Sequence, residues 1–139
     1  MNLCLSAIVI MPEDNRFEHK DITSKILNAA FEVHNILGCG FSEKMYERPL
    51  VYELKQRGLK IEQQKRIEVE YKEIMAGDYI ADIVVNNKVI VELKAVEGII
   101  NLHEAQILNY LKASKYHVGL ILNFGKPKLE YKRLVLSNP

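Results

Sequence analysis

The chain has 139 residues, 48% of them apolar and 27% charged, with a formal net charge of +1. That length suits one domain with a real core, and the composition is that of an ordinary globular protein. A chain so near neutrality has no global field that would announce nucleic acid or a membrane, so any anion-binding surface must be a local patch. The two cysteines, Cys4 and Cys39, fit neither a zinc spacing nor a disulfide framework, which points to a reduced, cytoplasmic setting.

The opening "MNLCLSAIVIM" is apolar but lacks a basic n-region and is too short to span a bilayer, so no membrane partner is expected. Residues 1–20 read as a loosely attached N-terminal extension, with Met11 as an alternative start, and 21–139 as a single domain. "DITSKILNAAFEVHNILG" places Ile22, Ile26, Ala29, Ala30, Val33 and Leu37 at helical spacing, with Asp21 as N-cap and Gly38 as the stop. Ser42 can cap a second helix, "SEKMYERPLVYELKQRG", in which Pro49 predicts a kink.

A strand follows over Ile61 to Tyr71, another from about Asp78 to Val85, and a third from Val89 to Lys94 after the turn residues Asn86 and Asn87. "NLHEAQILNYLKAS" reads as a third helix, with Leu102, Ala105, Leu108 and Leu111 on its apolar side. "HVGLILNF" and "LEYKRLVLS" are two further strands, joined by "GKPK". The predicted order is α-α-β-β-β-α-β-β, an α/β (α+β) fold with a mixed sheet flanked by helices.

The second and third strands raise a question of charge. Their β-branched runs have the composition of buried strands, yet they contain Asp82, Glu92 and Lys94. Burying an unpaired charge costs several kcal/mol or more. A two-residue loop would pair Val85 with Lys88 and leave Asp82 and Glu92 on opposite faces. A three-residue loop, Asn86 to Lys88, pairs Val85 with Val89 and sets Asp82 opposite Glu92. Only the second register collects Ala81, Ile83, Val85, Val89, Val91 and Leu93 on one face, so burial selects it. The other face then holds Ile80, Asp82, Val84, Ile90, Glu92 and Lys94. Two carboxylates a strand apart suit a hard divalent cation such as Mg²⁺, and Lys94 beside them could position or deprotonate water or stabilise negative charge. A buried salt bridge of Lys94 with either acid accounts for the spacing equally well.

The wider pattern is more specific. Asp82 followed by Glu92-Leu93-Lys94 resembles the D…ExK core of the PD-(D/E)XK nuclease superfamily, and Gly40, Glu43 and Tyr46 match the motif that names its GxxExxY family. "VHNILGCGFSEKMYE", "ADIVVNNKVIVELKAVE", "HEAQILNYLK" and "LILNFGKPKLEYKR" resemble that family's blocks in order, from about Asp21 to Leu136. The resemblance implies a restriction-endonuclease-like core and an Mg²⁺- or Mn²⁺-dependent nuclease acting on nucleic acid, DNA in the first instance. It implies Asp82 and Glu92 as metal ligands, the Leu93 carbonyl as another, Glu43 as an additional carboxylate and Lys94 as the catalytic lysine. Without it, Glu43 reads as a first-turn carboxylate facing the helix dipole.

Gln106 and Tyr110, one turn apart on the third helix, match the QxxxY element of exonuclease-like branches. His103 could contact a phosphate, but a polar helix face explains it better, and His34 reads as a satisfied, half-buried histidine. Three positions depart from the family pattern. Ile80 stands where many members carry arginine, Cys39 replaces a common proline, and Pro49 interrupts the second helix. The alternative function is a binding or assembly module that keeps the fold without efficient cleavage. Little surface remains to grip a duplex, and the one basic cluster, Lys55, Arg57, Lys60, Lys65 and Arg66, reads equally as a solvated face. Small nucleases often dimerise, which makes a second copy of the chain a candidate partner.

Overall fold

The computed structural model describes residues 18–136, so most of the expected N-terminal extension, Met11 included, lies outside the described residues. In chain order the elements are α1 (Lys20–Leu37), α2 (Glu43–Gln56), β1 (Ile61–Tyr71), β2 (Ile74–Val85), β3 (Val89–Lys94), α3 (Asn101–Ala113), β4 (Val118–Asn123) and β5 (Glu130–Val135). The five strands form one sheet in the order β1-β2-β3-β4-β5. All neighbours are antiparallel except β3 and β4, which run parallel and are joined by the α3 crossover. The arrangement is the α+β, mixed-sheet architecture and element order that the sequence predicts.

Helix α1 starts at Lys20 rather than after an Asp21 cap. His19 takes a left-handed conformation (φ 55°) and its carbonyl accepts the Thr23 N–H at 3.0 Å. Asp21 lies inside the first turn, where its charge faces the positive end of the helix dipole. Glu18 joins the fold too, since its carboxylate meets His117 Nδ1 at 3.2 Å and its backbone carbonyl accepts from Arg133. Helix α2 is helical through Pro49.

The helices cover the two faces of the sheet unequally. α1 and α2 pack on one side, where Ile26, Leu50 and Leu54 meet Ile83, Val85, Val91 and Leu120. α3 packs on the other, where Ile107, Leu108 and Leu111 meet Tyr79, Ala81, Val84, Ile90 and Ile121. The predicted apolar side of this helix was rotated, because Leu102 is 60% exposed and Ile107 takes its place against the sheet. Gly119 permits the approach: a Cβ there would stand 2.7 Å from Ile107 Cδ1.

The end of β4 fixes the chain leaving β3. Asn123 is completely buried, and its Oδ1 accepts the N–H groups of Val96 and Gly125 at 3.0 Å each. Its Nδ2 donates to the Val96 carbonyl at 3.1 Å and to Glu130 Oε1 at 3.0 Å. Asn123 pairs with Lys94 across the parallel ladder, so this corner sets where Lys94 emerges. Removing one partner of a buried hydrogen-bond set costs about 1–3 kcal/mol for each group stranded. Asn123→Ala should therefore lose at least about 2 kcal/mol in denaturant unfolding. Gly125→Ala, whose Cβ would stand 2.5 Å from the Val96 backbone, should lose a similar amount. Unchanged unfolding midpoints in both variants would show that the corner relaxes freely.

Candidate active site

The hairpin adopts the three-residue loop, pairing Val85 with Val89, Val84 with Ile90 and Ile83 with Val91. Asn86 and Asn87 both take left-handed conformations (φ 52° each), which asparagine tolerates better than most residues. The ladder then stops. Where Asp82 and Glu92 come level, side chains replace backbone partners: the Asp82 N–H donates to Glu92 Oε2 at 3.1 Å, and the Leu93 N–H donates to Asp82 Oδ2 at 2.9 Å. Two carboxylates thus occupy the gap that opens between β2 and β3.

The other flank of β2 is irregular at the same level. The β1–β2 pairing steps over Gln64 and Asp82, with Gln64 at φ 50°. Glu47 of α2 accepts from the side-chain amides of both Gln63 and Gln64 at 2.9 Å and so pins this distortion. The inside–outside alternation changes here. Ile83 and Val85 face α1 and α2, whereas Tyr79 and Ala81 belong to the α3 side. The expected grouping of Ala81 with Ile83 is therefore corrected. So is the expectation that Ile80 looks into the site, since it is 45% exposed and lines neither pocket there.

The predicted residues meet across the gap rather than on one face. Asp82 and Leu93 line an open cleft of about 400 Å³ with Ser42, Glu43, Lys44, Glu47 and Gln64. Glu92 and Lys94 line a narrow crevice on the α3 side with His103, Gln106 and Tyr110, where water-sized space is only about 10 Å³. That is room for about one water. The two pockets are linked by the hydrogen bonds that Asp82 and Glu92 exchange with the opposing backbone.

Local folding explains the motif around Glu43. Gly40 has φ 113°, a conformation closed to ordinary side chains. Tyr46 is fully buried, stacks on Phe124 with centroids 4.5 Å apart, donates to the Gly38 carbonyl at 2.7 Å and accepts from the Phe41 N–H at 3.3 Å. The loop is thereby tied down and Glu43, the first residue of α2, is left facing the cleft. His103 serves its own helix end, with Nδ1 accepting the Ile100 N–H at 3.1 Å. His34 is buried, and its Nε2 lies 2.8 Å from the Lys126 carbonyl oxygen.

Burial is the largest influence on both acids. It raises the Asp82 carboxyl above its usual range, opposed by the Leu93 N–H. It raises Glu92 further, to about 7, with the neighbouring Asp82 charge adding to the effect and Lys94 opposing it. Two desolvated like charges sharing a gap need either a proton or a cation. Each carboxylate has one oxygen fixed by a backbone N–H, and Leu93 lines the cleft beside them. Oxygen donors of this kind fit a hard ion that keeps several waters. Among the described residues no three acidic, histidine or cysteine side chains are grouped closely enough to hold an ion. Glu43 shares the cleft with Asp82.

Three residues of this neighbourhood escape sequence reasoning. Glu47 repeats Glu43 one turn on, a spacing that could have flagged it. Gln64 and Tyr79 are hidden by the change of alternation, which no local pattern signals. Part of the basic cluster is already engaged: Arg57 pairs with Glu53 at 2.7 Å, Lys65 with Glu62 at 2.9 Å and Arg66 with Asp78 at 2.7 Å.

A family model described as the PD-(D/E)XK nuclease superfamily matches residues 20–134. No curated protein and no solved structure matches the chain.

The raised acid makes stability depend on pH. Glu92 binds a proton more tightly when folded (about 7) than its reference value of 4.5. Its contribution is fully present below about pH 4.5 and is lost as the pH rises through about 7. In chelator, unfolding free energy should fall by up to about 3 kcal/mol over that window, and Glu92→Gln should remove that fall, so that the native-minus-variant difference changes with pH. A difference that does not vary between pH 5 and 8 would contradict the raised affinity.

Proposed function

The chain belongs to the PD-(D/E)XK nuclease superfamily, and from that premise we propose a nuclease of the GxxExxY branch that hydrolyses nucleic-acid phosphodiester bonds, DNA first, with Mg²⁺ or Mn²⁺. The observation that carries this reading is the pair of desolvated carboxylates, Asp82 and Glu92, facing one another across the β2–β3 gap with Lys94 bearing on both. Asp82, Glu92 and the Leu93 carbonyl would hold the ion, the backbone N–H bonds having already oriented the carboxylates. A bound divalent ion supplies Lewis acidity that activates water and offsets charge at the phosphorus.

The remaining residues act through position and charge. Lys94, two residues from Glu92 along β3, places a cation where the attacking water loses its proton and where negative charge accumulates on the phosphate. Gln106 lies exposed on α3 at the mouth of the crevice, where its amide can orient a phosphate oxygen. Tyr110 contributes its ring as the wall behind it. Glu43, which lines the cleft with Asp82, would add a further carboxylate to the ion's surroundings. No helix among the described residues is long and apolar enough to cross a membrane, and we take residues 21–139 as one catalytic domain in a cytoplasmic setting.

Substitutions separate these roles. Asp82→Asn should abolish Mn²⁺ binding in calorimetry and cleavage together. Lys94→Ala should leave ion binding intact or improve it, because a neighbouring cation is removed, while lowering the cleavage rate by roughly 10²-fold or more. Gln106→Ala should cost less than either. Native-level cleavage in Asp82→Asn would assign the activity elsewhere. Ion binding with no cleavage of single- or double-stranded DNA or RNA would favour the binding module.

A further inference from the structure

Tyr79 lies on β2, three residues before Asp82, and is 7% exposed. Its ring stacks on Tyr110 of α3 with centroids 3.4 Å apart and planes within 9°, so it cannot swing out of the sheet without breaking that contact. Its hydroxyl is buried and makes no well-formed hydrogen bond among the described residues. Buried hydroxyls almost always have one, because an unpaired polar group forfeits its hydration for nothing. Packing does not explain the oxygen, since phenylalanine would supply the same ring. The acceptor beside the hydroxyl is the carboxylate of Glu92. The group is thus a neutral donor placed next to an acid that already takes the Asp82 N–H on Oε2.

We propose that Tyr79 is a positioning residue of the site, its hydroxyl donating to Glu92 when that carboxylate holds a divalent cation. The proposal rests on the ion-binding reading given above. A carboxylate in the gap between two strands can rotate about its last bond. The Asp82 N–H restrains one oxygen, and a second donor from the same strand would fix the plane of the group. Tyr110, which shares the crevice with Glu92, would owe part of its importance to holding the Tyr79 ring.

The test is Mn²⁺ titration by calorimetry, with thermal melting in chelator and in Mg²⁺, on the native chain, Tyr79→Phe, Glu92→Asp and the double variant. Hydrogen bonds that orient metal ligands typically carry tenfold to hundredfold in metal affinity. Tyr79→Phe should melt no lower than the native chain in chelator, bind Mn²⁺ about tenfold or more weakly, and gain less from Mg²⁺. In Glu92→Asp, whose shorter side chain withdraws the acceptor, adding Tyr79→Phe should cost little more. Equal affinity in native and Tyr79→Phe proteins would overturn the role of Tyr79 while leaving the ion site standing. A lower melting temperature in chelator with unchanged affinity would make the hydroxyl structural and overturn it as well. Failure of the native chain itself to bind either ion would remove the ion-binding reading and this proposal together.

Discussion

Everything near the candidate site depends on two carboxylates standing where two strands would otherwise bond backbone to backbone. Asp82 and Glu92 each accept an N–H from the opposite strand. The substitution keeps those donors satisfied, but it introduces two negative charges into a partly desolvated gap. A sheet held only by backbone pairs would have no such demand. Here the same atoms that finish the β2–β3 connection create a local need for positive charge, which Lys94 meets in part.

The surroundings hold the gap open from several directions. On one side Glu47 grips Gln63 and Gln64, keeping β1 distorted beside Asp82. On the other, the Tyr79–Tyr110 stack ties β2 to α3. Below, Asn123 makes four hydrogen bonds, two of which fix Val96 in the chain that leaves β3. These contacts are long-range and mostly polar, while the aliphatic core under α1 and α2 supplies bulk stability. Tyr46 joins the two systems: it is fully buried against Phe124, and its hydroxyl holds the loop that brings Glu43 to the cleft.

Much of the fold was legible in the residues. The strands Ile61–Tyr71 and Val89–Lys94 and the Val85–Val89 register follow from β-branched runs, two asparagines able to turn left-handed, and the need to bury one face. Pattern reasoning failed where tertiary contacts intervene. The period-2 rule assumes an unbroken pleat, and the pleat breaks at Asp82, where the β1–β2 pairing skips Gln64 and the Gln64 side chain bonds to a helix far away in sequence. That break is why the pattern misplaces Ala81 and Ile80 and hides Tyr79. In α3 the apolar residues wrap around the helix, so periodicity could not choose between Leu102 and Ile107, and the space beside Gly119 decided it. The place of Glu43 at the cleft was legible only through the family motif, since spacing alone left it a helix-end carboxylate.

The sheet order repeats the chain order, and this bears on how the molecule assembles. The β1–β2–β3 meander joins neighbours through short loops, whereas β4 reaches β3 only after the α3 crossover. Contacts across short loops close sooner than those across long ones, because less chain entropy is lost. The Asp82 half of the gap therefore belongs to an early-forming unit, and the wall carrying Gln106 and Tyr110 arrives with the later parallel pairing. During that interval the edge of β3 lies open, and strand edges in that state invite pairing with another chain.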